Sequence, residues 1–298
     1  MAITAAQVKE LRQATGVGMM ECKKALQESD GDMDKAVVWL RERGLARAAK
    51  KAGRTAAEGI VIFRISETGR EAAILELNCE TDFSAKNSAF LDFADKAISL
   101  ALSHKTDSID TLKAIDCDGI PLGDALAGLI SKVGENMTLR RVRYLSVEQG
   151  LISGYSHMGG KIGVLVALSG DITEQLPAVG ADLAMHVAAC SPKYHQRDEV
   201  QADELEQEKE IARVRLREQG KPEEIIEKAL MGQVNKFYSD VCFLEQPFVK
   251  EPKQSVTQFV QQSGVKAKPT GFVRYQLGEG IEVREENFAE EVAAQLKQ

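Results

Sequence analysis

One pattern constrains this chain more than any other, because it occurs twice. Gly59-Ile60-Val61 opens an alternating run through Phe63 and Ile65, Gly69 marks a turn, and Ala72-Ala73-Ile74-Leu75-Glu76-Leu77 follows as an apolar run. The next segment places Phe90, Ala94, Ala97, Ile98 and Ala101 on one helical face. About ninety residues on, Gly150-Leu151-Ile152 reopens the pattern and Gly159-Gly160 supplies the turn. Ile162-Gly163-Val164-Leu165-Val166-Ala167 is the second apolar run, and Leu183, Ala184, Val187 and Ala188 form the second helical face. A period of two marks strands, and spacings of three and four mark helices. Hairpin then helix, twice over, predicts an α+β core of two related subdomains.

The flanks read as helical additions. Residues 4–43 predict three short helices: Thr4 with Gln7 has capping-box spacing, Gly16-Val17-Gly18 breaks the first helix, and Asp32 caps the third, which Gly44 is expected to stop. About forty residues form a core near the minimum that folds alone, so such a module exists to dock onto something. Residues 41–54 carry six basic residues against Glu42 and read as a linker or a loosely held helix. Residues 198–228 hold eleven acidic residues against six basic ones. There Leu205, Ala212 and Leu216 precede Gly220-Lys221-Pro222, and Ile226, Leu230, Val234 and Phe237 follow. Glycine at a helix stop and proline at the next start predict a protruding antiparallel helical hairpin whose only core is its own seam. Phe272-Val273-Arg274-Tyr275 reads as a strand of the main core, and Asn287 as the cap of a terminal helix carrying Phe288, Val292 and Leu296.

Composition narrows the function. Of 298 residues, 44% are hydrophobic, and the formal charge is −7. That balance fits a globular protein, argues against a nucleic-acid coat, and offers no apolar stretch long enough for a membrane helix. The charge is uneven: the first 54 residues sum to +4 and the rest to −11. Five cysteines without a C-x-x-C, and a start without a basic and apolar leader, point to reduced thiols and a cytoplasmic setting. The four histidines lack metal-ligand spacing. Gly160-Lys161-Ile162 and Gly220-Lys221-Pro222 both lack the Ser or Thr that a phosphate loop needs, and Glu21 stands where a dinucleotide fingerprint needs glycine, so no nucleotide is expected to bind directly. Cys190 with His186, or Cys79 with a distant histidine, forms a nominal nucleophile pair, against which stands the reading of buried thiols and satisfied core histidines.

Two turns remain. Asn78-Cys79-Glu80-Thr81-Asp82-Phe83-Ser84 joins a strand to a helix. There Thr81 or Asp82 caps the helix while Phe83 staples the turn, or an exposed Phe83 is an anchor for a pocket on another protein. Tyr155-Ser156-His157-Met158-Gly159-Gly160 occupies the matching turn of the second repeat, either as a plain hairpin tip or as part of one docking surface with the first.

The chain also resembles a known family. Val8-Lys9-Glu10-Leu11-Arg12 with Thr15-Gly16-Val17-Gly18-Met19-Met20-Glu21-Cys22-Lys23-Lys24-Ala25-Leu26 closely resembles the opening of the bacterial translation elongation factor Ts family. Asn78 to Phe83, Lys161 to Val166, Met185-His186-Val187-Ala188-Ala189, Gln246-Pro247-Phe248-Val249 and Gly278-Glu279-Gly280-Ile281-Glu282 are similar to it in the same order. The resemblance implies a module like ubiquitin-associated domains with its basic linker over 1–54 and core subdomains over 55–147 and 148–282. It also implies a coiled-coil hairpin inserted at about 198–238 and a short C-terminal helical module over 283–298. It implies a guanine-nucleotide exchange factor that binds the GTPase elongation factor Tu and speeds release of its GDP, with no cofactor, metal, membrane or covalent chemistry of its own. The family motif T-D-F-V, which dislodges Mg²⁺ from the partner, falls on Thr81, Asp82, Phe83 and Ser84, with serine in place of valine. The family histidine maps to His157, and Arg12, Met19 and Met20 would lie against the partner. The competing expectation is an RNA- or ribosome-binding protein that uses the N-terminal module and the basic run.

Overall fold

The computed structural model describes residues 3–282. The chain opens with α1 (Ala5–Thr15), α2 (Met19–Glu28) and α3 (Met33–Lys51). Thr4 and Gln7 make the reciprocal capping box, and Asp32 caps α3 by accepting from the Lys35 N–H. Val8, Leu11, Cys22, Ala25, Leu26, Ala36 and Leu40 form the small core between them.

Gly44 does not stop α3, which runs on to Lys51. The physical reason is tertiary: Gly44 lies against Ser131 and Ala127 of a later helix, where a small residue lets two helices approach. The basic run 41–54 is correspondingly neither a linker nor loose. Arg41 pairs with Asp124 at 2.5 Å, Arg43 and Arg47 with Glu21, Lys51 donates to the Gly134 carbonyl, and Arg54 faces Glu80 at 3.5 Å.

The first sheet joins β1 (Glu58–Ile65), β2 (Glu71–Cys79) and β5 (Met137–Ser146), antiparallel with β2 in the centre. Between β2 and β5 the chain forms α4 (Asp82–Ala85), α5 (Ser88–Ser103), α6 (Ile109–Ala114), the short pair β3 (Asp116–Cys117) and β4 (Ile120–Pro121), and α7 (Leu122–Val133). The second sheet repeats the plan: β6 (Gly150–His157), β7 (Ile162–Gly170) in the centre and, after a long crossover, β10 (Ala267–Gln276). Its crossover holds α8 (Leu176–Cys190), α9 (Ala202–Glu218), α10 (Glu223–Val241), the pair β8 (Pro247–Phe248) and β9 (Glu251–Ser255), and α11 (Val256–Gln262).

The two sheets pack on each other and carry helices on their outer faces. Along β2, Ala73, Leu75, Leu77 and Cys79 point to α5 and α7, whereas Ala72 and Ile74 meet Ile152, Leu165 and Ala167 of the second sheet. Along β7, Val164, Val166 and Leu168 point to α8. Burial on both faces is why each central strand reads as a continuous apolar run. Gly163 allows this approach, because a Cβ there would stand 2.5 Å from Val61 Cγ1.

One charge sits inside the sheet-to-sheet layer. Glu76 of β2 is fully buried and accepts from Arg140 at 2.9 Å, Arg141 at 2.6 Å, the Asn78 amide at 3.1 Å and the Gly278 N–H at 2.8 Å. Arg141 also stacks over Tyr275 of the second sheet, 4.1 Å from the ring centre.

The arm formed by α9 and α10 has its apolar seam where the spacing placed it. Ile226 and Leu230 are buried and Leu205, Ala212, Leu216, Val234 and Phe237 half-buried, with Gly220 in the left-handed region (φ 71°) and Pro222 capping α10. Its base is tied down by Glu204 to Lys193 and Tyr194, and by Arg197 to Glu245 and Asn235. The expected Asn287 cap and the module over 283–298 lie outside the described residues.

Candidate partner-binding site

Where β2 ends, a single residue organises the turn. Thr81 caps α4, its Oγ accepting the Ser84 N–H at 3.2 Å. The same hydroxyl donates to Glu135 Oε1 at 2.8 Å, and the Thr81 N–H donates to Glu135 Oε2 at 3.1 Å. The Cys79 thiol donates to the Thr81 carbonyl at 3.1 Å. Asn87 then caps α5 through the Ala89 N–H at 2.9 Å. Held this way, Ser84 is buried, with 6% of its surface exposed, while Phe83 is 82% exposed. The hydrophobic staple considered for Phe83 therefore does not form. A phenyl ring in water on a pinned turn is apolar area that a partner's pocket could bury.

Asp82 flanks that ring and pairs with Lys86 at 2.7 Å. The hydrogen bond from Lys86 holds the Asp82 carboxyl below its usual range, and the charge of Lys161 adds to the effect. Lys161 belongs to the other turn, at the start of β7, and also pairs with Glu58, which stands opposite Cys79 in the β1–β2 register.

The second turn thus reaches the first. His157 stacks on Tyr155 with centroids 5.9 Å apart, and its Nδ1 lies 3.2 Å from the Tyr155 hydroxyl. Met158 follows with a left-handed backbone (φ 50°) and is 72% exposed. The carbonyl of Gly160 accepts the Val61 N–H at 2.8 Å, strapping the tip to β1. Phe83, Asp82, His157 and Met158 accordingly occupy one end of the paired sheets.

Arg12, Met19 and Met20 are exposed on the three-helix unit, at the end of α1 and the start of α2. Among the described residues no hydrogen bond or ion pair joins them to α4 or to the His157 tip. The route between them runs through α3, which packs along α7. Sequence reasoning named Met158 only as part of its turn and Lys161 only within a failed phosphate-loop pattern and a family-like segment, and it missed Glu135. An apolar residue between His157 and two glycines was the available signal for Met158; Glu135 is 54 residues from its partner and gave none.

The nominal His186–Cys190 pair does not form. The Val249 N–H donates to His186 Nδ1 at 3.1 Å, so Nε2 carries the proton and donates to Gln246 Oε1 at 3.0 Å. Both ring nitrogens are thereby engaged, and neither is left for Cys190. Burial pushes the His186 pKa down and the Cys190 thiol up. Burial, with the nearby Glu135 carboxylate, pushes Cys79 up to about 12, far from a nucleophile. Among the described residues no group of His, Cys, Asp and Glu could hold a metal ion, and no helix is long and apolar enough to cross a membrane. A cavity of about 510 Å³ lies between α3, α5 and α7, lined by Val37, Leu40, Phe93 and Leu129 among others, and touches neither exposed turn.

The turn that carries Phe83 coincides with the start of a family match: a family model described as Elongation factor TS covers residues 80–279. The chain belongs to the elongation factor Ts family. Similar proteins bearing the name Elongation factor Ts extend the likeness over the three-helix unit. That of Magnetococcus marinus is 50% identical over 300 residues, covering 98% of both chains. Those of Clostridium botulinum, 48% identical over 301 residues and 99% of both chains, and of a Nitratiruptor species, 47% over 305 residues and all of both chains, agree. In this member of the elongation factor Ts family, the His186–Gln246 contact ties the segment at 185–189 to the one at 246–249. Gln246 also donates to the carbonyls of Cys190 and Asp240, closing the ends of α8 and α10.

Proposed function

We propose that this protein is a guanine-nucleotide exchange factor for the GTPase elongation factor Tu, acting in translation elongation in the cytoplasm. The observation that carries the reading is Phe83: an exposed ring on a turn fixed from below, beside Asp82 and the His157–Met158 tip, in a chain of this family. Phe83 enters an apolar pocket of the partner and acts as a wedge. Asp82, released from Lys86, rearranges hydrogen bonds near the bound phosphates. Mg²⁺ in the partner demands near-ideal octahedral geometry, so a small shift of its ligands weakens it. Loss of Mg²⁺ and then of GDP leaves a nucleotide-free complex, and by linkage GDP and this factor weaken each other equally. His157 and Met158 form the second contact. Arg12, Met19 and Met20 bring the N-terminal module, residues 1–54, against the partner. Residues 55–147 and 148–282 act as the two core subdomains, with 283–298 as a C-terminal module. The pairing of the basic run with Glu21, Asp124 and Glu80 favours this reading over RNA binding, since those charges are already engaged.

The test is stopped-flow release of fluorescent GDP from preloaded elongation factor Tu. The expected result is strong acceleration by the wild-type chain and loss of most of it with Phe83→Ala. No acceleration by the wild type overturns the function, and an undiminished rate with Phe83→Ala overturns the wedge.

A further inference from the structure

Three consecutive residues between α7 and β5 hold the Phe83 turn and the end of α3 together. Gly134, in the left-handed region (φ 92°), closes α7 and offers its carbonyl to Lys51. Glu135 receives both hydrogen bonds of Thr81. Asn136 is buried, donates its N–H to Glu80 and its side-chain amide to the Arg54 carbonyl at 2.7 Å. The exchange is reciprocal: a carboxylate from the loop grips the turn, and a carboxylate from the turn grips the loop.

Glu135 does more here than add stability. The Thr81–Ser84 cap defines the shape of α4, but nothing in that cap sets its direction relative to the sheet. Two hydrogen bonds to one carboxylate, one from the Thr81 backbone and one from its side chain, remove rotation about the end of β2. Charge-assisted bonds of this kind are shorter and stronger than neutral ones. Phe83 lies two residues further on, on the same short helix, and is 82% exposed.

We infer that Glu135 is a positioning residue for nucleotide exchange, acting through Thr81 to aim Phe83 and Asp82 at the partner. The inference rests on the proposed function. It assigns no contact with the partner to Glu135, which is half-buried behind the turn.

The experiment measures GDP release from elongation factor Tu against factor concentration for the wild type, Glu135→Ala, Glu135→Gln, Thr81→Ala and the double variant Glu135→Ala/Thr81→Ala, each checked for folding by thermal melting. Misplacing a reacting group by about 1 Å costs up to about a hundredfold in rate, and the expectation is a loss of about tenfold or more in the saturating rate for Glu135→Ala. Glutamine is expected to restore most of that rate, because its oxygen accepts the Thr81 N–H and its amide donates to Thr81 Oγ. The double variant is expected to be no slower than Thr81→Ala alone, since both changes break one unit. A merely structural role would lower the amount of active factor and leave the saturating rate intact, and that outcome overturns the inference. So does a wild-type rate for Glu135→Ala, a failure of glutamine to rescue, or additive losses in the double variant. If the wild type itself does not accelerate release, the proposed function fails instead, so the two failures read differently.

Discussion

Glu76 and Gly278 are 202 residues apart in sequence and meet at 2.8 Å, carboxylate to backbone N–H, inside the layer between the two sheets. Burial alone would push the Glu76 carboxyl up. The Gly278 N–H and the Arg140 and Arg141 guanidinium groups outweigh it and leave the group below its usual range. A depressed folded-state value contributes stability that is complete above the unfolded value, about pH 4.3, and is lost as pH falls through the folded one. Glu76→Gln is therefore expected to be less stable than the wild type at pH 7 by about 3 kcal/mol, because Arg140 and Arg141 lose their buried counter-charge. Denaturant melts between pH 7 and 3 check this: the gap should narrow in acid, and a constant gap contradicts it.

Phe83→Ala separates function from stability. The side chain is 82% exposed, so its loss should shift the folding free energy by no more than about 0.5 kcal/mol. Burial of the same ring in a partner is worth about 1.5–3 kcal/mol, which corresponds to a roughly ten- to 150-fold loss of exchange rate. Chemical denaturation alongside GDP release measures both, and a large destabilisation would show that the ring packs within the factor.

The approach of the sheets makes a third prediction. A Cβ on Gly163 would stand 2.5 Å from Val61 Cγ1 and 3.3 Å from Ile74 Cδ1, so Gly163→Ala is expected to cost about 1–3 kcal/mol through overpacking. Adding Val61→Ala removes the clashing methyl. The double variant should lose less than the sum of the single losses, and strict additivity would place the strain elsewhere.

The arm packs chiefly on itself. A chain lacking residues 207–234, closed by a short glycine-containing turn, keeps Glu204 with Lys193 and Arg197 with Glu245 and Asn235. It should melt cooperatively within about 4 °C of the full chain by calorimetry, the shift produced by about 1 kcal/mol in a domain of this size. A broad or absent transition would mean the arm supports the core.

Much of the fold was legible because local chemistry and tertiary burial agree. Thr4, Asp32 and Pro222 mark helix starts by their own side chains or rings, and the apolar runs of β2 and β7 report burial on both faces. Gly44 misled because a small residue serves helix packing as well as helix termination, and only the position of α7 decides between them. The third strand of the first sheet, β5, had no local signature of its partner, since strand pairing across 137–146 is set by the crossover. At the site, Thr81 and Asp82 could be read as capping residues, but exposure of Phe83 could not. Whether a phenyl ring staples a turn or leaves it is set by how the turn is held, and the carboxylate that bonds Thr81 here, Glu135, lies 54 residues away, outside any local window.

The strap between Val61 and Gly160 sets a length. With Lys161 paired to Glu58 and the sheets close-packed behind them, the turn that carries Phe83 and the tip that carries His157 are tied to one frame. The molecule is in this respect a fixed-gap gauge. A partner that engages both ends at once must already match the gap or bend to it, and the work of bending falls on the partner.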